Sequence, residues 1–247
     1  MEVDEIPCSM FATQLTNSGQ PHPGYRSLQE LKALDTIQSV GETGAARIKI
    51  TAGNLRENNF VTKSGLLVTS WQLSTPFLGQ APASATDIAS FNEDIFIMDM
   101  HDEMDREGDA TGRLIIKGGI VQYGGMLDVI EFIVEGSDCI DYVSRNWNSN
   151  DTVNVGGRIR VTSKEVKSSA ENSSWGEDLP ETSTQFVKEL IITRGSETAF
   201  DEDFSYDPVE IRKAFNERKA RIEQLQINAT QPAKKAETAA ASKYSWE

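Results

Sequence analysis

Apolar and polar residues alternate with a period of two through much of the central chain, which is the pattern of β-strands with one buried face. The stretch VNVGGRIRVTSK, residues 153–164, shows the pattern most clearly. One parity of this stretch is apolar and indicates a core face. The opposite parity carries Arg158, Arg160 and Lys164. The stretch therefore predicts a strand with a basic outer face, unless these residues are only the solvated side of an ordinary strand.

A first strand is predicted earlier in the chain, at ARIKITAGNL, residues 46–55. Alternation places Arg47 and Lys49 on its outer face. The run GLLVTSWQL, residues 65–73, is rich in residues that favour β-structure and contains Trp71. We interpret it as the long continuation of the first strand.

A β-hairpin is predicted over residues 113–135, with Gly124 and Gly125 as a two-residue turn. This turn places Lys117 opposite Phe132. The predicted outer face carries Arg113, Lys117, Tyr123 and Phe132. The predicted core face carries Leu114, Ile116, Ile120, Leu127, Val129 and Ile133.

Three helices are predicted from capping residues and apolar spacing. The first starts at a capping box formed by Ser27 and Glu30 and ends at Gly41. The second covers 137–147, with Ile140, Val143 and Trp147 on one face, and the third covers 207–226. A last strand, QFVKELIITRG, lies between the second and third helices.

This order of elements is typical of an OB-fold, a five-stranded barrel. We predict a mainly β protein with a helix between barrel strands 3 and 4, flanking N- and C-terminal helices, and a flexible tail. The predicted divisions are an arm and short helix at 1–44, an OB domain at 45–196 with an acidic insertion at 74–112, an acidic linker and helix at 197–227, and the tail at 228–247.

Charge is distributed unevenly in a chain of formal net charge −14. Residues 87–109 hold nine acids against Arg106 alone, whereas the predicted strands are basic. We expect this acidic segment to lie outside the barrel and to be dispensable for folding. Its acids could also occupy the basic face when no nucleic acid is bound.

Composition argues against several other classes of protein. The longest apolar runs are far too short for a membrane span, and the chain opens without a basic, then apolar leader, so we expect a cytoplasmic protein. Cys8 and Cys139 are expected to be reduced thiols. The sequence has no glycine-rich phosphate loop and no zinc-ligand spacing, so no cofactor is predicted.

A metal-dependent enzyme is one alternative, based on the acidic stretch MDMHDEMDREGD. Its candidate ligands are Asp99, His101, Asp102, Glu103 and Asp105. Their spacing matches no calcium loop, and the chain has two histidines in all. We therefore predict a binding protein that is not an enzyme and holds no metal.

OB barrels bind single-stranded nucleic acid by pairing basic residues with aromatic stacking platforms. The predicted nucleic-acid-binding residues are Arg47, Lys49, Trp71, Arg113, Lys117, Tyr123, Phe132, Arg158, Arg160 and Lys164. Phe132 and Trp71 could equally belong to the core. Contact with a 2′-hydroxyl leaves no sequence signature, so DNA and RNA both stay open at this point.

The segment from Gly118 to Ser163, and within it NSNDTVNVGGRIR, resembles phage-type single-stranded DNA-binding proteins with one OB domain. The resemblance extends in layout over residues 45–195 and is specific over 120–163. It implies non-specific binding of single-stranded DNA during phage replication or recombination, in the host bacterial cytoplasm. It also implies a tail that recruits replication or recombination proteins. The tail departs from the bacterial pattern, because Tyr244 and Trp246 precede Glu247 where that pattern has an acidic tip ending in Phe.

The second alternative is an OB domain used for protein–protein assembly, such as a virion or accessory component, with the acidic segments as its interface. A salt-sensitive complex with single-stranded oligonucleotide, absent with duplex, distinguishes DNA binding from this hypothesis.

Overall fold

The computed structural model describes residues 6–168 and 181–230 of the chain. The helices are α1 (Pro23–Lys32), α2 (Ile37–Val40), α3 (Ser137–Asn146) and α4 (Pro208–Thr230). The strands are β1 (Cys8–Met10), β2 (Ile48–Val61), β3 (Leu67–Gln80), β4 (Ser90–Met104), β5 (Ala110–Val121), β6 (Leu127–Glu135), β7 (Thr152–Ser168) and β8 (Glu181–Gly195). In this part of the chain, every helix is too short or too polar to span a bilayer.

Five strands close into a barrel in the order β4-β5-β6-β8-β7. The third and fifth barrel strands, β6 and β8, pair in parallel, and the other neighbours are antiparallel. Helix α3 lies between the third and fourth barrel strands, and α1 and α4 flank the barrel in sequence. The predicted fold class, a five-stranded OB-type barrel in a mainly β protein, is confirmed.

The first barrel strand is β4, which lies inside the segment that the sequence assigned to an acidic insertion. Its first half pairs with β7 and its second half with β5, with a register shift after Ile97. Ile95 and Ile97 are fully buried in the barrel core. The expectation that residues 87–109 lie outside the barrel is therefore wrong. Most of the acids that suggested a loop are exposed on β4 or in the turn at 105–109.

Residues 46–55 and 65–73 do not form one long barrel strand, as the sequence had suggested. They belong to two antiparallel strands, β2 and β3, of a separate sheet with the order β1-β3-β2. The chain reverses at residues 62–66, where the Leu66 N–H donates to Thr62 Oγ1 at 3.1 Å. Gly65 takes a φ of 84° in this turn, a conformation that favours glycine. Leu55 and Trp71 attach the sheet to the barrel core.

The β5–β6 hairpin has a register one residue away from the predicted one. The Gln122 N–H donates to the Met126 carbonyl at 2.8 Å, so three residues form the turn instead of two. Phe132 consequently pairs with Ile116, and Lys117 pairs with Glu131. A shift of one residue turns every side chain of a strand to the other face, so the predicted faces of β6 are exchanged.

Apolar side chains cover both faces of β6. Those facing the barrel interior include Ile130, Phe132 and Val134. On the other face, Leu127 and Val129 pack with Ile211 of α4 in a second cluster. Helix α4 thus shields these outward-facing apolar side chains of β6 from water.

Two short helices replace the single helix that the Ser27 capping box predicted. Helix α1 begins earlier, where the Gly24 N–H donates to His22 Nδ1 at 3.1 Å. Helix α2 has its own capping box, in which Thr36 and Ser39 exchange side-chain to backbone hydrogen bonds.

The other two predicted helices are present. Helix α3 ends at Asn146, and its residues Val143 and Trp147 reach the barrel core. Helix α4 continues four residues beyond the predicted end at 226. The predicted tail lies outside the described residues from 231 onward.

Candidate nucleic-acid interface

The ten residues predicted to bind nucleic acid lie on two separate sheets. Arg47, Lys49 and Trp71 belong to the three-stranded sheet or directly precede it. The others belong to the barrel and its β5–β6 turn: Arg113, Lys117, Tyr123, Phe132, Arg158, Arg160 and Lys164. The predicted residues therefore do not share one sheet face.

The outer face of the barrel carries three arginines and three glutamates in mutual contact. We term this set the arginine–glutamate network; its members are Arg113, Arg158, Arg160, Glu103, Glu135 and Glu189. Alternation puts these side chains outside, because their strand neighbours Leu114, Val134 and Leu190 face the core. The network has members on all five barrel strands.

Arg113 makes its two shortest ion pairs with glutamates from different strands, and its Nη1 is also 3.5 Å from Glu135 Oε1. Its Nε and Nη2 donate to Glu103 Oε2 and Oε1, each at 2.7 Å, which is a bidentate pair. Its Nη2 also donates to Glu189 Oε1 at 2.8 Å. These lengths are those of charge-assisted hydrogen bonds. Glu103 is one of the acids of segment 87–109, and Asp87 of the same segment pairs with Arg47, so two acids of that segment contact predicted binding residues.

Arg160 and Arg158 share the remaining glutamate of the network. Arg160 Nη2 donates to Glu135 Oε1 at 2.7 Å, and its Nε donates to Glu189 Oε2 at 2.8 Å. Arg158 Nη2 is 3.4 Å from Glu135 Oε2, and its side chain is 59% exposed. Arg158 is thus the most loosely held arginine of the network.

The network changes the acidity of its members. Burial raises the pKa of Glu135, but the hydrogen bonds and charge of Arg160, with the charges of Arg113 and Arg158, outweigh burial and lower that pKa. The pKa of Glu103 is lowered in the same way, against burial, by Thr111 and Arg113. Both carboxyl groups are therefore ionised at neutral pH and cancel arginine charge locally.

The remaining predicted cations are in different surroundings. Lys117 Nζ is 3.9 Å from Glu131 Oε1, and Arg47 pairs with Asp87. Lys49 is exposed on β2. Lys164 pairs with Gln185 in the β7–β8 ladder, where the structure describes its backbone.

The two aromatic residues proposed as stacking platforms are buried. Phe132 is 0% exposed, and its ring centroid is 5.5 Å from that of Phe91 in the barrel core. The predicted outward position of Phe132 is therefore wrong, and the register shift of the hairpin is the cause. Trp71 is 8% exposed and belongs to the same core. By contrast, Tyr123 is fully exposed in the β5–β6 turn.

A surface that the sequence analysis missed is formed by the ends of β7 and β8. The two strands stay paired from the barrel out to Ser168 and Glu181. Val161 is buried in the barrel, and residues 162–168 with 181–188 form what we term the β7–β8 arm. Phe186 on this arm is 57% exposed, next to exposed Val187. The sequence signal that could have pointed to this surface is Phe186 in the mostly polar stretch TSTQFVK.

Lys188 connects the base of the arm to the three-stranded sheet. Its Nζ donates to the Trp71 carbonyl at 3.1 Å and lies 5.1 Å from the centroid of the Trp71 ring. Lys188 is half-buried and follows the exposed Phe186 and Val187 along β8. The arm thus combines a cation with an exposed aromatic side chain.

The acidic stretch proposed for a metal does not converge on a common point. His101 Nδ1 is 3.0 Å from Asp99 Oδ2, and both side chains are largely exposed. Asp105 Oδ1 instead accepts the N–H groups of Glu107 and Asp109 within the turn. Across residues 6–168 and 181–230, no three His, Cys, Asp or Glu side chains form a potential metal site.

Glu93 on β4 is the carboxyl group with the largest change in acidity. Burial raises its pKa from 4.5 to about 7, and the charge of Asp94 adds to the increase. The folded protein therefore holds this proton more tightly than the unfolded chain does between these two values. Stability linked to Glu93 is present at low pH and is lost as the pH rises toward 7.

We expect Glu93→Gln to reduce the loss of unfolding free energy between pH 5 and pH 7, because glutamine cannot ionise. Urea denaturation at several pH values measures this slope. The control is Glu131→Gln, at an exposed glutamate of β6. Equal slopes in the wild type and Glu93→Gln would show that Glu93 does not titrate in this range.

Comparisons with known proteins identify a family and a weak structural similarity. A solved structure of a deletion mutant of the single-stranded DNA binding protein from Thermus aquaticus matches with 9% identity and a TM-score of 0.31. The match covers 66% of this chain and 91% of that chain. A TM-score of this size is too low to support a shared fold or function. No curated protein sequence matches. The sequence model of the YorF family matches residues 1–228, and the chain therefore belongs to the YorF family.

Proposed function

We propose that this protein binds single-stranded DNA, largely without sequence specificity, and protects it during replication or recombination. The observation that carries the proposal is the β7–β8 arm, which extends an OB-type barrel and presents Phe186 to solvent. OB-folds bind oligonucleotides with the face of their second and third strands and with the loops next to it, including the one joining strands four and five. In this barrel, that connection is the β7–β8 arm.

The arm has the two components that non-specific binding requires. An exposed aromatic ring can stack on any base, since every base has a π-face, and each such contact contributes about 1–3 kcal/mol. Lys188, at the base of the arm, supplies a positive charge for the phosphate backbone. Exposed Tyr123 at the β5–β6 turn is a second candidate ring. Fold alone does not establish function, so the proposal depends on these side chains.

We expect Phe186→Ala to weaken binding to oligo-dT by about 1–3 kcal/mol, or roughly 5- to 150-fold, if the ring stacks on a base. The slope of log affinity against log salt should be unchanged, because no phosphate contact is lost. Fluorescence anisotropy of labelled oligo-dT, titrated at several salt concentrations, measures both quantities.

The matched control is Phe204→Ala, because Phe204 is also an exposed phenylalanine, at 76%, but precedes α4 and is outside the arm. This control should bind like the wild type. If the wild type shows no salt-sensitive complex with oligo-dT, the proposed function is wrong. If Phe186→Ala and Phe204→Ala bind oligo-dT with equal affinity, Phe186 does not contact the DNA.

Protein–protein assembly is the second candidate, and one observation favours it. The arginines on the barrel face are already paired with glutamates, so the face has little free positive charge for DNA. A chain of formal net charge −14 also repels a polyanion at long range. Sedimentation velocity of the protein with and without oligo-dT separates the two candidate functions. DNA binding requires a complex that contains oligo-dT, whereas assembly alone predicts a protein complex that oligo-dT leaves unchanged.

A further inference from the structure

The arginine–glutamate network places carboxylates where a nucleic acid would place phosphates. Arginine binds carboxylate and phosphate with the same planar, bidentate geometry. Arg113 and Arg160 make such contacts with Glu103, Glu135 and Glu189 at 2.6–2.8 Å. These glutamates come from β4, β6 and β8, whereas the arginines come from β5 and β7.

We propose that this face is a phosphate-binding surface occupied by the protein's own glutamates, which single-stranded DNA enters by displacing them. The inference rests on the proposed function and adds a mechanism that limits affinity at the same barrel. The three arginines and three glutamates are equal in formal charge. Each arginine that binds a phosphate must therefore first give up an ion pair with a glutamate of the protein.

The side chains of the arginine–glutamate network are accessible enough for phosphates to replace the glutamates. The side chains of Arg113, Arg160, Glu103 and Glu135 are between 23% and 29% exposed, so water and ions reach them. Ion pairs that water can reach contribute less to folding than fully buried ones do. Breaking such pairs is therefore compatible with an intact barrel.

Arg158 is the point at which exchange would begin. It has one contact in the network, at 3.4 Å to Glu135 Oε2, and it is the most exposed member. It also lies on β7, the strand that continues into the β7–β8 arm. A DNA strand following the arm toward the barrel would reach Arg160 and then Arg158.

The test is the double variant Glu135→Gln/Glu189→Gln, compared with the wild type in oligo-dT anisotropy at several salt concentrations. The double change removes both charged partners of Arg158 and Arg160, while Arg113 keeps Glu103. We expect binding roughly tenfold tighter at low salt. The salt slope should steepen by about 1.4, which is 0.7 for each freed arginine.

The control is Glu217→Gln/Glu223→Gln on the exposed side of α4, which changes net charge by the same amount. Tighter binding by the network variant than by this control and by the wild type supports the inference. Equal affinities of the two variants, with a wild type that binds, overturn the inference and keep the proposed function. No binding by any of them overturns the proposed function, and the inference fails with it.

A second pair of variants tests the inference if the double variant Glu135→Gln/Glu189→Gln does not fold. The single change Glu135→Gln leaves Glu189 in contact with Arg160 and frees Arg158. It should steepen the slope by about 0.7. Adding Arg158→Ala should cancel that gain. A gain that persists without Arg158 would show that the network does not act through its arginines.

Discussion

Deletion of residues 87–109 is expected to abolish the cooperative thermal unfolding of the protein. The segment contains all of β4, which closes the barrel by pairing with β7 at one end and β5 at the other. Without it, two strand edges are unpaired and the core side chains of the barrel become accessible to water. Circular dichroism during heating measures the transition. A deletion variant that still melts cooperatively would mean that β4 is dispensable.

A point substitution tests the same strand without removing it. Ile97→Ala should lower the free energy of unfolding by about 2–5 kcal/mol, because the side chain is fully buried. Met104→Ala is the control at the exposed end of β4, with an expected change within about 0.5 kcal/mol. Urea denaturation compares the two variants, and similar small changes would contradict the assignment of Ile97 to the core.

Phe132→Ala is expected to lower the free energy of unfolding by about 3–5 kcal/mol. The ring of Phe132 packs directly against Gly118. A Cβ atom at position 118 would lie only 2.9 Å from Phe132 Cε2, so the ring occupies the space that a side chain there would need. Gly118 itself has no side chain that could fill the cavity left by the ring. Urea denaturation measures the loss.

Tyr123→Ala is the aromatic control for this substitution, because Tyr123 is fully exposed in the β5–β6 turn. Its unfolding free energy should stay within about 0.5 kcal/mol of the wild-type value. A Phe132→Ala variant of normal stability and weakened DNA binding would restore the stacking role first predicted for Phe132.

Local sequence patterns were sufficient for the order of elements in the barrel's second half. In VNVGGRIRVTSK, valine and isoleucine occupy one parity and arginine the other, so β7 has a single consistent choice of faces. The helix after β6 was predictable because Val143 and Trp147 repeat with helical spacing and both are buried. From these elements the OB order could be inferred.

The register of the β5–β6 hairpin could not be inferred in this way. Strand β6 is apolar on both faces, since Phe132 points into the barrel and Val129 packs against α4. Either register therefore buries apolar side chains, and the pattern does not choose between them. The choice depends on the three-residue turn closed by Gln122 and Met126, and on a helix about 80 residues further along the chain.

The sequence by itself determined the β-barrel class, the helix between the third and fourth barrel strands, and the outward position of Arg113, Arg158 and Arg160, because each follows from periodicity within one element. The tertiary structure alone decided that the acidic segment supplies the first barrel strand and that those arginines are paired with glutamates. Both depend on contacts between distant residues, such as Arg113 with Glu189 and Ile95 with its neighbours in the core. Charge counted along the chain does not show which charges meet, since closure of the barrel brings strands from opposite ends of the domain together.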